Sequence, residues 1–185
     1  MTSIYQIKVT LVDIQPPIWR RFQVRGDTTL LGLHQILQDV MGWEDCHLHE
    51  FVVGDRRYGM VDLEFDDPDI LDECEMTLAL IPPRQHGKLI YHYDFGDGWR
   101  HKLVVEKILE PESGIDYPIC LGGKHHCPPE DCGGVWGYAN FLEAIRDREH
   151  PEHEEYLEWV GEAFDPEAFD LNLVKKILEG YKRSK

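Results

Sequence analysis

The sequence predicts a single α+β domain in which two β-hairpins build a mixed, mostly antiparallel sheet. Three observations support this class: two long segments alternate apolar and polar residues, an apolar stripe at helical spacing follows the first, and three helical segments close the chain. With 185 residues the chain is long enough to bury a core without disulfides. We expect one domain over residues 1–185, with a β-grasp-like half over 1–81. The second hairpin, a Cys/Gly-rich loop and the C-terminal helices fill 88–185.

The first half begins with a hairpin followed by a helix. Ile4–Ile14 and Ile18–Val24 alternate as half-buried strands do, and two prolines separate them. Thr28 or Thr29 can cap the helix that follows, and Gly42 can end it because glycine adopts the left-handed conformation without strain.

Three shorter strands are expected after this helix. Leu48–Val53 reads as a strand, 55–58 as a turn and 58–61 as a short return strand, so the β-β-α-β order indicates the β-grasp-like half. Thr77–Ile81 is predicted as a further strand, and the two prolines that follow it are expected to end this strand.

The second hairpin is predicted over Lys88–Leu109. Residues 96–97, Gly-Asp, can form a two-residue type II′ turn, because glycine accepts the positive φ that this turn requires. That turn places His92 opposite His101 with Asp94 on the same face, since directly opposed residues share a face of the ladder. A register change of one residue would move His101 to the other face.

The side chains of His92, Asp94 and His101 are therefore candidates for chemistry. Two imidazoles and a carboxylate suit a divalent metal or a general base oriented by a carboxylate. The alternative is a polar sheet face in which Asp94 and Asp97 hold the turn through bonds to the backbone.

The last part of the chain is predicted as a long irregular stretch, 110–134, followed by three helices. The first covers 136–148, and the second runs from near Pro151 to near Gly161. The third is predicted to be capped by Asp165, because a proline, which suits the first helical position, follows it.

The irregular stretch contains the densest set of metal-binding residue types. Zinc prefers thiolate and imidazole ligands, and a glycine-rich loop can fold around an ion. The loop is therefore a candidate zinc site, with ligands drawn from Cys120, Cys127, Cys132, His125 and His126. The spacing is not that of paired C-x2-C knuckles, so buried cysteines among glycine turns are the alternative.

Two further groups of residues are candidates for metal binding or catalysis. Glu130 and Asp131 follow a rigid diproline and can bind a metal, act as general acid or base, or cap the next helix. His47 and His49 are two residues apart, so they share one face of a strand, which is compatible with metal binding.

Composition excludes several functions. The chain has 19 basic and 35 acidic residues, a formal net charge of −16, which disfavours direct DNA binding and contact with anionic membranes. No apolar run is long enough to span a membrane. Nucleotide-binding signatures, a G-x-S-x-G elbow and an H-E-x-x-H motif are absent from the sequence. Five cysteines without a secretory signal indicate a cytoplasmic protein with reduced thiols.

Several segments resemble the plasmid pRiA4b ORF-3-like family, whose members also go under the name of TnpR-like passenger proteins of an insertion element. They are Pro17–Arg20, His47–Phe51, Tyr91–His101, Pro118–Gly123, Cys127–Gly134 and Asp165–Leu171. The resemblance implies an α+β single-domain fold and no particular reaction. A serine recombinase needs a nucleophilic serine, supporting arginines and a basic tail, so that activity is not carried over.

Three functions remain as hypotheses from the sequence. The first is a cytoplasmic binding or interaction module with a protein or small-molecule partner, with structural zinc in the Cys-rich loop. The second is a metal-dependent hydrolase that uses His92, Asp94, His101, Glu130 or Asp131. The third is a mobile-element accessory protein that acts through protein partners.

Overall fold

A computed structural model of the chain describes residues 2–61, 67–85, 89–161 and 164–183. The predicted α+β class is confirmed, because these residues form one eight-stranded sheet and four α-helices. The strands are β1 (Ile4–Leu11), β2 (Trp19–Arg25), β3 (His49–Val53), β4 (Arg56–Gly59), β5 (Ile70–Asp72), β6 (Leu89–Tyr93), β7 (Trp99–Leu109) and β8 (Ile119–Lys124). The helices are α1 (Leu30–Met41), α2 (Gly134–Arg146), α3 (His153–Val160) and α4 (Leu171–Leu178). No helix in the described residues is long and apolar enough to cross a membrane.

The strands follow the order β5-β4-β3-β6-β7-β1-β2-β8 across the sheet. Every neighbouring pair is antiparallel except β4 and β5, so the prediction of a mixed, mostly antiparallel sheet is correct. The hairpin β6–β7 lies between β3 and β1. The two halves predicted from the sequence therefore interleave within one sheet, and Lys88, the predicted start of the second hairpin, lies outside the described residues.

The first hairpin and helix form as predicted. Ile7 and Phe22 pair across β1 and β2, and both are fully buried. The hydroxyl of Thr29 accepts a hydrogen bond from the Gly32 amide at 3.1 Å and thereby caps α1. Gly42 ends the helix with a φ of 99°, a conformation that glycine adopts at little cost.

A buried arginine ties this helix to the rest of the fold. The Nε–H of Arg20 donates to the Val40 carbonyl at 2.7 Å, and its Nη1 donates to the Lys124 carbonyl at 2.9 Å. The guanidinium also lies 4.4 Å from the centre of the Phe169 ring. Since the last carbonyls of a helix have no partner within the helix, Arg20 satisfies one of them and joins α1 to β8.

The predicted two-residue turn of the second hairpin is wrong. Residues 94–98 form a five-residue loop, and Tyr93 pairs with Trp99. The carboxylate of Asp94 accepts a hydrogen bond from the Gly96 amide at 2.9 Å, and its carbonyl accepts one from the Gly98 amide at 2.6 Å. This turn within the loop shifts the strand pairing by one residue from the register that a two-residue turn at 96–97 would set.

The wider loop also changes which residues share a face. His101 pairs with Tyr91 and His92 pairs with Arg100, so the predicted His92, Asp94 and His101 face does not form. His101 lies fully buried on the core face. His92 lies on the opposite face, where its Nδ1 is 3.0 Å from a carboxylate oxygen of Glu50.

Three other local predictions are also wrong. Leu78–Leu80 forms a 3₁₀ turn in place of a strand, and among the described residues the ladder contact of the predicted strand is one bridge between Thr77 and Thr29. The stretch predicted as irregular, 110–134, contains strand β8. This strand pairs with the edge of β2, which lies far away in the sequence. The cap of α4 is Asp170, whose carboxylate accepts hydrogen bonds from the amides of Asn172 and Leu173, whereas Asp165 closes a preceding turn.

Candidate functional site

The structure brings one histidine and three carboxylates together at one end of β3 and β6. We call His47, Asp94, Glu130 and Asp131 the His47 cluster. The Nε2 atom of His47 lies 3.2 Å from Asp131 Oδ1, 3.7 Å from Asp94 Oδ2 and 3.8 Å from Glu130 Oε2. Residues from three separate segments thus direct ligand-type atoms towards one point.

Two atoms at the centre of this cluster lack hydrogen bonds. Nε2 of His47 and Oε2 of Glu130 are buried, and neither has a hydrogen-bond partner among the described residues. The 3.2 Å approach of His47 to Asp131 satisfies the distance for an ion pair but not the geometry of a hydrogen bond. A buried polar atom left unpaired costs about 1–3 kcal/mol, so an additional binding partner at this point would recover that energy.

The other oxygen of Glu130 is held firmly. Its Oε1 accepts hydrogen bonds from the Tyr93 hydroxyl at 3.0 Å and from the Glu44 amide at 2.8 Å. The hydroxyl of Tyr93 in turn accepts a hydrogen bond from the Cys46 amide at 3.1 Å. Burial raises the pKa of Glu130 from its ordinary value, and burial also raises the pKa of Tyr93, which keeps its hydroxyl a donor. Glu130 therefore has one anchored oxygen and one free oxygen.

Unusual backbone conformations concentrate around the cluster. Asp94 and Asp131 have φ values of 54° and 55°, and Asp45, two residues before His47, has a φ of 55°. Residues other than glycine rarely adopt a positive φ, and such positions are frequent at functional sites. The two aspartates of the cluster are thus presented by left-handed turns.

Close contact between two loops sets the distance from Asp94 to Asp131. A carboxylate oxygen of Asp97 accepts a hydrogen bond from the Gly133 amide at 3.1 Å. A Cβ at Gly134 would lie 2.4 Å from the Asp97 carbonyl oxygen, and one at Gly137 would lie 1.9 Å from the Cys132 carbonyl oxygen. Gly134 therefore allows the loop before α2 to pack against the β6–β7 loop, and Gly137 allows the first turn of α2 to pack against Cys132 in the loop before it.

The cluster and the adjoining Cys46 together provide two overlapping sets of possible metal ligands. The ligand atoms of His47, Asp94 and Asp131 lie within 4.8 Å of one another, and so do those of Cys46, His47 and Glu130. Imidazole and carboxylate ligands suit divalent cations such as zinc, manganese or magnesium, and the thiol of Cys46 would favour zinc.

The cluster is open on one side. The side chain of Asp131 is 74% exposed, whereas that of Asp94 is buried. Glu130 and Asp131 also border a cavity of about 510 Å³, whose walls include Trp159 and Phe164. A ligand bound at the cluster would therefore remain accessible from this cavity.

The residues predicted as catalytic candidates separate into two groups. Asp94, Glu130 and Asp131 meet in the His47 cluster, whereas His92 and His101 do not reach it. Burial lowers the pKa of His101 to about 3, so this histidine is a neutral core residue.

The residues predicted to bind zinc are not brought together. Among the described residues, no three of the five ligand atoms lie within 4.8 Å of one another. His125 contacts the Pro17 carbonyl at 3.0 Å, and His126 contacts the Cys127 carbonyl at 2.6 Å. Burial raises the pKa of Cys132 to about 12 and that of Cys127 well above its ordinary value. The thiol of Cys120 lies 3.6 Å from a backbone carbonyl and its pKa is also raised by burial.

His47 is the member of the cluster that sequence reasoning did not assign to it. The pattern placed His47 and His49 on one face of a strand, but His47 precedes β3 and His49 points elsewhere. His49 Nε2 lies 2.9 Å from Glu73, and its ring stacks on that of His34 with centroids 3.5 Å apart. The Cys-His-Leu-His sequence at residues 46–49 was the available indication that His47 has a functional role. The sequence does not show which residues lie near His47 in space.

Comparison with known proteins identifies the relationship of the whole chain. The family model of the plasmid pRiA4b ORF-3-like proteins matches residues 3–173. The chain belongs to this family. It is 37% identical over 180 residues to the uncharacterized protein y4hQ of Sinorhizobium fredii (strain NBRC 101917 / NGR234), an alignment that covers 97% of this chain and 92% of the relative.

A solved structure has the same fold. The crystal structure of a protein of unknown function, MM3350 from Methanosarcina mazei Go1, superimposes with a TM-score of 0.85 at 40% sequence identity. The match covers 93% of this chain and 97% of the other. Three segments by which the sequence resembles the ORF-3-like family, His47–Phe51, Tyr91–His101 and Cys127–Gly134, each contribute at least one residue to the His47 cluster. The mobile-element association, the protein partner and the cytoplasmic location stay predictions.

Proposed function

We propose that the His47 cluster binds a divalent cation and that the protein is a metal-dependent hydrolase. The observation that carries this proposal is the pair of buried, unpartnered atoms, His47 Nε2 and Glu130 Oε2, which lie 3.8 Å apart. A cation held by His47 and the two aspartates would pair with His47 Nε2 and offset the charge of the carboxylates, and a water bound to it would donate a hydrogen bond to Glu130 Oε2.

The ligand set fits a divalent ion. His47 supplies an imidazole nitrogen, and Asp94 and Asp131 supply carboxylate oxygens whose formal charges would balance that of the ion. Each ligand belongs to a different segment, so the ion would also hold the β6–β7 loop and the loop before α2 in place.

The role of Glu130 would be that of a general base. Because Tyr93 and the Glu44 amide hold one of its oxygens, the other is oriented towards the cluster. A metal ion lowers the pKa of a bound water, and a carboxylate within hydrogen-bond reach can accept its proton. Burial around Glu130 strengthens such electrostatic effects.

The exposure of the cluster favours a catalytic over a structural site. A structural metal is closed by four protein ligands, whereas a catalytic metal keeps a position open for water or substrate. The exposed side chain of Asp131 and the adjacent cavity provide that opening.

Removal and replacement of metal test the proposal. Protein treated with a chelator is reloaded with zinc, manganese or magnesium and assayed against chromogenic esters, amides and phosphoesters. We expect hydrolysis that requires one of the metals and falls about 10²- to 10⁴-fold in Glu130→Gln while metal binding persists. His92→Gln, a partly exposed histidine outside the cluster, should retain activity. Hydrolysis that is equal without metal, or unchanged in Glu130→Gln, would contradict the assignment.

A further inference from the structure

A second cavity adjoins the His47 cluster. It measures about 580 Å³, a volume in the range of small-molecule sites, and it shares Cys46 and His47 with the two ligand sets. Its walls come from α1, from residues 45–49, and from residues 60–61 and 72–74.

The rim of this cavity is apolar and exposed. Leu48 is 61% exposed and Met60 is 65% exposed, and Val61 and Leu31 extend the same surface. Large apolar side chains that are exposed around a concave surface commonly mark a ligand site. The rim can therefore take the apolar body of a small molecule.

A network of hydrogen bonds behind the cavity wall holds two of its lining side chains, those of His34 and Asp45. The Gln38 side-chain oxygen accepts a hydrogen bond from the Asp45 amide at 2.9 Å, which orients its NH₂ group to donate to the Tyr91 hydroxyl at 2.7 Å. The Tyr91 hydroxyl then donates to His34 Nδ1 at 2.7 Å, so His34 carries its proton on Nε2 and donates it to Asp45 at 2.8 Å. Burial lowers the pKa of His34, which favours the neutral ring.

Acidic side chains dominate the charged groups of the cavity. Asp45 beside His34 and Glu73 beside His49 contribute two carboxyl groups to its lining. Asp72 adds a third carboxylate to the lining, and the described lining residues include no lysine or arginine. The interior therefore attracts cations and repels anions.

We propose that this cavity binds small organic ammonium ions, in which a protonated amine meets the carboxylates and an apolar body covers the Leu48–Met60 rim. The ligand would lie beside His47. That the bound ammonium ion is a substrate rests on the proposed hydrolase function, whereas the binding of the ion to the cavity does not depend on that function.

Three probes that share a six-carbon chain test the proposal by calorimetry on metal-free protein near pH 7.5. We expect n-hexylammonium to bind at least about tenfold more tightly than n-hexanol, a difference of about 1.4 kcal/mol, and n-hexanoate to bind most weakly. Equal affinity for the three probes, or tightest binding of n-hexanoate, would overturn the inference.

A pair of matched variants locates the site. Met60→Arg places a cation at the rim and should weaken n-hexylammonium binding at least about tenfold. Leu80→Arg is the control, because Leu80 is 62% exposed but does not line the cavity, and it should bind as the unmodified protein does. Equal weakening in both variants would overturn the location.

The same protein sample is titrated with zinc to separate the two proposals. Selective binding of n-hexylammonium supports the cavity whether or not zinc binds. Zinc binding without selective amine binding overturns the cavity inference and leaves the proposed function standing.

Discussion

Acid should destabilise this fold through His101, because the core holds its ring in the neutral form. The Nδ1 of His101 lies 3.2 Å from the Tyr91 carbonyl and carries the proton, since a carbonyl can only accept. Its Nε2 accepts a hydrogen bond from the Trp43 indole at 3.1 Å. A proton added to Nε2 would face the indole N–H, so protonation would both break this bond and bury a charge.

The size of the effect follows from the pKa. Burial lowers the pKa of His101 from 6.5 to about 3. Because the folded-state pKa lies below the unfolded-state pKa, the stability is fully present above pH 6.5 and is lost as the pH falls from 6.5 towards 3. Each pH unit in this window lowers the free energy of unfolding by about 1.4 kcal/mol, so pH 5 should remove about 2 kcal/mol.

Urea unfolding at intervals between pH 7.5 and pH 5 measures this effect. His101→Gln should remove about 2 kcal/mol of the pH dependence between these limits, whatever its stability at pH 7.5. His92→Gln is the control, because His92 is partly exposed on the other face of the same sheet. An unchanged pH dependence in His101→Gln would refute the assignment of a neutral, buried histidine.

Other variants test the packing that supports the cluster. Arg20→Met should lower the free energy of unfolding by about 2–4 kcal/mol in urea titrations, because buried carbonyls at the end of α1 lose their hydrogen-bond donor. A decrease of less than about 0.5 kcal/mol would contradict this role of Arg20. Gly137→Ala should lower both stability and zinc affinity, because its Cβ would collide with the loop that carries Asp131, whereas Gly122→Ala has open space at its Cβ and should change zinc affinity little. Asp170→Ala should lower the free energy of unfolding by about 1 kcal/mol through loss of the α4 cap, and equal stability would show that the cap is not needed.

The elements that local patterns determine were predictable from the sequence. The β1–β2 hairpin follows from strict alternation, and α1 begins directly after Thr29 and ends before Gly42 as these capping residues indicate. Strand β8 was not predictable, because a segment rich in glycine becomes a strand only when the distant edge of β2 supplies its hydrogen bonds.

The candidate site was predictable only in part. The diproline and acidic pair pointed to Glu130 and Asp131, and the hairpin pointed to Asp94. The sequence did not assign His47 to the same site, since its contacts depend on the wider β6–β7 loop, which shifts the strand pairing by one residue and buries His101. The hydrogen bond from the Gly96 amide to the Asp94 carboxylate stabilises the turn that fixes this register. The alternation of apolar and polar residues does not predict such a bond.

The central claim is that the His47 cluster binds a divalent cation, and calorimetric titration of chelator-treated protein with zinc or manganese tests it most directly. We predict about one ion per chain and a loss of affinity of about 100-fold or more in His47→Ala, with no change in the control His92→Ala. Full affinity in His47→Ala together with loss in Cys127→Ser would contradict the claim and return the site to the Cys-rich loop. Absence of binding by the unmodified protein would also contradict it.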